Sequence, residues 1–403
     1  MCGKPRAGHD NGECGCRNGQ QLYRRARENP SQFTDSMKPS QTDHLCVSTP
    51  GRVCLFGEHQ DYLLLPVIPC AISLRVTLDG HRRGDREVHL DLPDIDAKES
   101  FPLTGMLPYT VERDYLRSAV NVLLKRGFTF SRGFDGRIHG DIPINAGTSS
   151  SSALIVTWIN FLARMSDQAE ELFCEDIAVL AHQAEVVEFG EPGGMMDHYS
   201  TACGGVMQID FHPAVRVTPL ATPLGTFVLG DSGEPKNTTE ILARVKNQVI
   251  DIQHKLSLRH QGFSLHTVLL ENVEQFAPEL NGEQLQLLRG TIKNRDLTRR
   301  AREVLERTPL DHRLVGELLN EHQTVLRDVL QISTPKIDRM IEAANRAGSF
   351  GGKINGSGGG GCMFAYAPEN TRETAEAITE AGGKAYVIRP DEGTRTEAIE
   401  VRN

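Results

Sequence analysis

Positive charge is in deficit: 44 Lys and Arg stand against 53 Asp and Glu, a formal net charge of −9 over 403 residues. That balance argues against a general affinity for nucleic acid or anionic lipid and leaves room only for a local basic pocket. Long apolar runs are missing as well. The longest near-continuous one, Leu63 to Ile72, spans ten residues and contains Pro66 and Pro69, well short of the roughly 18 a membrane span needs. The N-terminus has no apolar stretch of a secretory signal, and Asp10, Glu13 and Glu28 are foreign to a transit peptide. A soluble, cytoplasmic protein is expected. The nine cysteines are odd in number and lack framework spacing, which suits reduced thiols better than a disulfide scaffold. Cys2, His9, Cys14 and Cys16 could bind metal, but no second paired ligand set accompanies them, and a flexible tail is the plainer reading. No internal repeat occurs, and no low-complexity tract beyond one glycine cluster.

At about 150 residues per domain the length allows two or three compact units. Residues 1–42 are polar and Gly-rich and read as a flexible extension with one short helix around Leu22 to Asn29. From Leu45 the texture turns β-rich: short strands Leu45–Ser48 and Val53–Phe56 around a Pro50-Gly51 turn, then Ile68 to Leu78 with period two at Ile72, Leu74, Val76 and Leu78. A helix over Arg113 to Lys125 and a strand over Arg137 to Ile142 follow. Ser149 to Met165 is apolar on nearly every side, the mark of a buried helix. Glu170 to Glu188 has amphipathic spacing, and Val206 to Asp210 reads as a strand. A second unit is expected from about residue 216, with strand Thr226 to Gly230, helices from Thr238 to about Leu258 and through 280–345, strand Cys362 to Tyr366, helix Arg372 to Ala381 and strand Ala385 to Ile388.

Three motifs carry chemistry. Pro143-Ile144-Asn145-Ala146-Gly147-Thr148-Ser149-Ser150-Ser151-Ser152 places small residues at the start of the buried helix. Backbone N–H groups and the helix dipole there suit phosphate, and a serine hydroxyl can join Mg²⁺, which prefers hard oxygen donors. A serine-rich helix cap is the bland alternative. Lys353-Ile354-Asn355-Gly356-Ser357-Gly358-Gly359-Gly360-Gly361 formally matches the dinucleotide fingerprint, but a strand follows it where a helix is required, and no P-loop pattern occurs. It reads as a tight turn or a place where backbone approaches a ligand. Gly51-Arg52-Val53 through Gly57-Glu58-His59-Gln60-Asp61-Tyr62 crowds polar groups beside a strand, as a polyhydroxylated ligand would require. Gly193-Gly194-Met195-Met196-Asp197-His198 sets a carboxylate in a Gly-rich loop, after a helix carrying Glu185 and Glu188.

Together and in this order, the motifs resemble the GHMP kinases, over residues 45–390, and Gly51-Arg52-Val53 to Tyr62 with Met196-Asp197-His198 is similar to the galactokinase branch of that family. The resemblance implies an α/β (α+β) fold of two lobes. An N-terminal domain like the second domain of ribosomal protein S5 would occupy 43–215, and a C-terminal ferredoxin-like domain 216–403. It also implies an ATP-dependent kinase whose partners are a small sugar and ATP. Galactose leads as the acceptor, phosphorylated at its anomeric hydroxyl to galactose 1-phosphate. Residue by residue, it implies that Gly147, Thr148, Ser149, Ser150, Ser151 and Ser152 wrap the ATP phosphates, with Gly358 and Gly359 closing over them. Ser151 and Glu185 would hold Mg²⁺, Glu185 being preferred because it lies twelve residues before Asp197. Asp197 would act on the sugar hydroxyl with Arg52 against it, and Glu58, His59, Asp61 and Gly194 would hold the sugar.

Five places depart from the galactokinase pattern: Cys54 for Asn, Gln60 for Thr, Thr148 for Leu, the Leu63-Leu64-Leu65 turn for Asn-Gly-Gly, and His198 for Gln. The turn and His198 would lie near the sugar, which keeps arabinose, galacturonate and glucuronate open as acceptors. His198 is read as a solvent-facing neighbour or a ligand for a substrate carboxylate. A sugar sensor without chemistry is the reading from another class, set against the intact Ser151-Ser152-Ala153 run. A mevalonate-type kinase would not be expected to carry the Gly57 to Tyr62 signature.

Overall fold

The computed structural model describes residues 43–235 and 238–399. The expected tail, its short helix around Leu22 to Asn29, and Cys2, His9, Cys14 and Cys16 lie outside the described residues.

Strand β1 (His44–Phe56) is buried on alternate residues in its first half and on every residue in its second. The change marks where a sheet covered on one face becomes covered on both. Pro50 and Gly51 do not reverse the chain; they form an irregularity in the pairing of β1 with β2 (Ile68–Arg82). The glycine serves close approach. A Cβ on Gly51 would stand 2.8 Å from the Thr148 carbonyl, which accepts the Arg52 N–H at 3.1 Å.

The first sheet adds β3 (Glu87–Leu92), β4 (Ala97–Pro102), β5 (Phe134–Gly140) and β12 (Arg395–Ala398) in the order β12-β1-β2-β5-β3-β4. Helices α1 (Tyr115–Lys125) and α3 (Cys174–His182) lie on α2 (Ser150–Met165), which with α4 (Met196–Cys203) packs directly against β1 and β2. Helix α2 is buried nearly all round, as its composition requires: Trp158 is fully enclosed, stacks on Phe161 at 5.6 Å and donates its indole N–H to the Leu116 carbonyl.

A hairpin of β6 (Met207–Asp210) and β7 (Arg216–Pro219) leads onward. The second sheet runs β11-β8-β10-β9, from β8 (Phe227–Asp231), β9 (Gly351–Ile354), β10 (Cys362–Tyr366) and β11 (Lys384–Ile388), antiparallel throughout. Against it lie α7 (His312–Asp328), α8 (Pro335–Arg346) and α9 (Thr371–Glu380). The long helices α5 (Thr238–Ser257) and α6 (Gly282–Leu305) form a separate apolar cluster with Leu63 and Leu65. The fold is thus mixed α/β with two sheet-based lobes. Its chain path is less simple than one cut at 215/216: that point falls inside the β6–β7 hairpin, and β12 returns to pair with β1.

Two sequence expectations are corrected here. The amphipathic segment from Glu170 is helical only from Cys174, and after His182 it widens into a π turn, Gln183–Val187. The cysteines are not all free. Cys174, opening α3, is disulfide-bonded to Cys203, closing α4, with Cα atoms 5.1 Å apart. Antiparallel packing of the two helices brings together positions 29 residues apart, which spacing alone did not reveal. Reduction of the bridge is expected to lower the unfolding free energy by about 2–4 kcal/mol, and Cys174→Ser to lose the same amount and become indifferent to reductant. Equal denaturation midpoints for the wild-type protein with and without reductant would show that the bridge contributes nothing. No helix among the described residues is long and apolar enough to cross a membrane.

Candidate active site

The three motifs and the Asp197 segment converge on one cavity, lined by Arg52, Glu58, His59, Asp61, Ser149 to Ser152, Glu185, Gly194, Asp197 and Gly356 among others. Each wall comes from a different part of the chain. Helix α2 supplies the first: its earliest backbone hydrogen bond runs from Ala153 N–H to Ser149 O, so the N–H groups of Ser150, Ser151 and Ser152 precede any intrahelical partner and point out of the helix end. Ser149 takes the left-handed conformation at φ 60°, turning the chain into the helix.

Asp197 opens α4, not a loop as its glycine-rich flank suggested. Its Oδ1 accepts Arg52 Nε at 2.8 Å and lies 2.7 Å from Arg52 Nη2. Burial works to raise its pKa, but the Arg52 and His198 charges and the Arg52 hydrogen bond outweigh burial and hold it below the ordinary carboxylate value. Asp197 is therefore an ionised carboxylate open to the cavity, with 30% of its side chain exposed against 5% for Arg52. Arg52 also donates to the Gly147 carbonyl, tying the phosphate-loop backbone to the same cation.

Glu185 sits on the π turn, which displaces its side chain from the regular helical face. Burial opposes its ionisation, yet hydrogen bonding and charge from His198, with Ser151 and Ser152 hydroxyls, bring its pKa below the ordinary value. An ionised carboxylate beside serine hydroxyls at a cavity wall is a hard oxygen donor set, and it fits Mg²⁺.

In the remaining wall His59, at φ 62°, meets the Tyr62 hydroxyl at 2.6 Å and the Ser357 carbonyl at 3.1 Å. Asp61 accepts the Tyr62 and Met196 N–H groups at 2.9 and 3.3 Å. Its pKa is raised, first by burial and then by the Asp197 charge, with those N–H groups opposing. Glu58 is 1% exposed; Oε1 pairs with Lys353 Nζ at 2.7 Å, while Oε2 has no hydrogen-bond partner. A buried carboxylate oxygen without a hydrogen-bond partner carries a desolvation cost, which the Lys353 pairing at Oε1 offsets in part.

Gly194 earns its place by absence. A Cβ there would collide with the Asp61 carboxylate. Gly194→Ala is therefore expected to push Asp61 aside and raise the acceptor KM by about 10- to 100-fold, the worth of a hydrogen bond to a charged group at ~1.5–3 kcal/mol. A KM within twofold of wild type would separate Asp61 from acceptor binding.

Thr148, Gly358 and Gly359 do not line the cavity. Thr148 is fully buried with its hydroxyl toward the Pro143 carbonyl. Gly358 and Gly359 face Ile332 and Ile241, and the Gly359 N–H donates to Ile332 O at 2.7 Å. Gly356 and Ser357 reach the cavity in their place. The departures from the galactokinase pattern are likewise spent on packing. Cys54 is fully buried, Gln60 donates to the Thr298 hydroxyl at 3.0 Å, Leu63 and Leu65 belong to the α5–α6 cluster, and Leu64 is exposed. His198 lines the cavity but is 2% exposed, so it is not solvent-facing; its Nε2 lies 2.7 Å from Glu185 Oε2.

Sequence reading missed three contributors. Lys353, fully buried in β9, holds Glu58 and also donates to the Cys54 and Ile354 carbonyls. Its signal was legible, since a lysine between Gly352 and Ile354 in a buried strand needs a counter-ion. Asn355 accepts the Cys54 N–H at 2.9 Å and donates to the Gly147 carbonyl at 2.8 Å, joining sugar signature, phosphate loop and glycine turn through one amide. Tyr115 lines the cavity beside Arg113 and Glu191, with Phe189 edge-on to it at 5.6 Å.

A helix-end anion cradle, a buried carboxylate for a cation and an arginine-held carboxylate, set between two sheet-based lobes, define a small-molecule phosphotransferase. Residues 114–205 match the GHMP kinase N-terminal domain, 301–388 the GHMP kinase C-terminal region, and 31–79 the galactokinase galactose-binding signature. The chain belongs to the GHMP kinase family, whose members use ATP as co-substrate. Its relatives include a mevalonate kinase of Thermococcus onnurineus, 29% identical over 366 residues covering 87% of this chain and 98% of that protein. A galactokinase of Mannheimia succiniciproducens is 27% identical over 375 residues, covering 88% and 94%. Among solved structures, Lactococcus lactis galactokinase complexed with galactose superposes with a TM-score of 0.78 at 20% identity, covering 93% of this chain and 99% of that one. The mevalonate kinase of Methanococcus jannaschii gives 0.66 at 21%, covering 88% and 100%.

Proposed function

We propose that this protein is an ATP-dependent sugar 1-kinase, with galactose as its leading acceptor. One observation carries the reading: the polar set Glu58, His59 and Asp61 opens onto the same cavity as the Arg52–Asp197 pair and the serine end of α2. In this mechanism the acceptor hydroxyl lies against Asp197, which takes its proton as the oxygen attacks the γ-phosphorus. The new O–P bond forms as the bond to the β-phosphate oxygen breaks, and ADP leaves. Arg52 keeps Asp197 ionised and offsets charge on the phosphoryl group in flight. The N–H groups of Ser150 to Ser152 hold the phosphates, and Tyr115 in the cavity lining offers an aromatic face for the base. Glu185 and Ser151 would hold Mg²⁺, which neutralises phosphate charge when bound. Most of the catalytic effect in such a reaction is positioning and charge neutralisation, which this cavity is built to supply.

Mevalonate is the second reading, favoured by the 29% identity to mevalonate kinases along nearly their whole length. Against it stands the match of residues 31–79 to the galactose-binding signature. The uronic acids lose their support, because His198 is engaged with Glu185 and the leucine turn is packed or exposed elsewhere. The test is ADP release with Mg-ATP across galactose, N-acetylgalactosamine, arabinose, galacturonate, glucuronate and mevalonate. Galactose-dependent turnover supports the first reading, mevalonate-dependent turnover replaces it with the second, and sugar binding without turnover replaces both with a sensor.

A further inference from the structure

We propose that His198 is a positioning residue that clamps Glu185 so that one carboxylate oxygen is reserved for the metal ion. The inference rests on the reading of Glu185 as a metal ligand and adds a residue that reading does not use. Glu185 Oε2 receives two hydrogen bonds, from Ser152 Oγ and from His198 Nε2, both at 2.7 Å. An ionised carboxylate only accepts, so Nε2 carries the proton and the histidine is the donor. With Oε2 taken by these two donors, Oε1, together with the neighbouring Ser151 hydroxyl, is what remains for a cation.

The clamp is itself held. His198 is 2% exposed, and its ring meets that of His182 edge-to-face at 5.2 Å. Its Nδ1 is buried without a hydrogen-bond partner, so the ring is committed to the one contact at Nε2. His182 lies three residues before Glu185, at the point where α3 passes into the π turn. Asp197 and His198 are neighbours in the first turn of α4. One binds Arg52 and the other binds Glu185. A single helical turn therefore sets the spacing between the carboxylate at the acceptor and the carboxylate at the metal. The histidine thereby does at Glu185 what outer-shell donors do at metal sites generally: it fixes the ligand's rotamer, and losing such a donor costs about 10- to 100-fold in metal affinity.

The experiment titrates Mn²⁺ into the full-length protein saturated with ADP, by calorimetry, and measures acceptor KM separately. His198→Asn places its amide where Nδ1 was and cannot reach Glu185, while His198→Gln restores a donor at the Nε2 position. The expected result is a loss of about 10- to 100-fold in Mn²⁺ affinity for His198→Asn, recovery to within about threefold for His198→Gln, and acceptor KM within about twofold of wild type for both. His198→Leu is the non-polar check, and thermal melts of all three confirm folding; the Asn-to-Gln comparison stands if the leucine variant does not fold. Wild-type Mn²⁺ affinity in folded His198→Asn overturns the proposal. So does a raised acceptor KM with unchanged Mn²⁺ affinity, which would put His198 at the sugar. Glu185→Gln separates the two levels: unchanged Mn²⁺ binding in that variant overturns the metal reading of Glu185 itself, whereas its loss there together with retention in His198→Asn overturns only the clamp.

Discussion

Asp197→Asn is expected to lower turnover at least about 100-fold, the usual worth of a positioned general base, while nucleotide affinity stays near wild type. The substitution keeps the shape of the side chain, and an amide oxygen can still accept from Arg52 Nε, which now bonds Oδ1 at 2.8 Å. What disappears is the negative charge and the basic lone pair facing the acceptor. In the proposed reading the nucleotide phosphates sit on the serine end of α2, apart from Asp197, so calorimetric titration with ADP should change little. Steady-state ADP release supplies the turnover, and a melt run beside it controls for Arg52 losing its anion. Wild-type turnover in the variant would remove Asp197 from the chemistry and leave it an anchor for Arg52.

The second large effect is on stability and comes from a residue with no contact to the reacting atoms. Lys353→Met is expected to destabilise the protein by about 3–5 kcal/mol, because it strands Glu58 without its cation. Both partners are enclosed, at 0% and 1% side-chain exposure, and Nζ stands 2.7 Å from Oε1. The lysine's two further hydrogen bonds, to the Cys54 and Ile354 carbonyls, lose their donor at the same time. Adding Glu58→Gln should return part of that stability, since a neutral amide tolerates burial better than a lone carboxylate. The double variant should remain poor in acceptor binding, because Glu58 lines the cavity in the intact protein and its charge is gone. Urea denaturation of the single and double variants gives the comparison. A Lys353→Met protein as stable as wild type would mean that the pair does not hold β9 to the sugar signature.

The correct and the failed expectations have distinct physical causes. Helix α2 was legible because sixteen residues almost without charge can be stable only when enclosed. Strand β10 matches its expected bounds, Cys362–Tyr366, and is buried at every position. Strand β3 was legible and overlooked: Val88, Leu90 and Leu92 alternate with Glu87, His89 and Asp91, a period-two signal in plain view. Pro50-Gly51 was misread because the pair usually marks a reversal, whereas here its small residue admits a neighbouring carbonyl. The Met196–Cys203 helix was hidden by the glycines before it, and the Cys174–Cys203 bridge by the 29 residues between its ends.

By itself the sequence determined which residues could do chemistry. The Gly57 to Tyr62 signature, the serine run and Met196-Asp197 are local strings whose residue types fix donors, acceptors and charges, and local strings survive without a fold. Partnership was decided only by tertiary structure. Lys353 reaches Glu58 across 295 residues, Asn355 reaches Gly147 across 208, and His198 meets Glu185 on another element. In each case a buried polar group needs one specific partner to offset its lost hydration, and which partner is near enough depends on the packing of elements far apart in the chain.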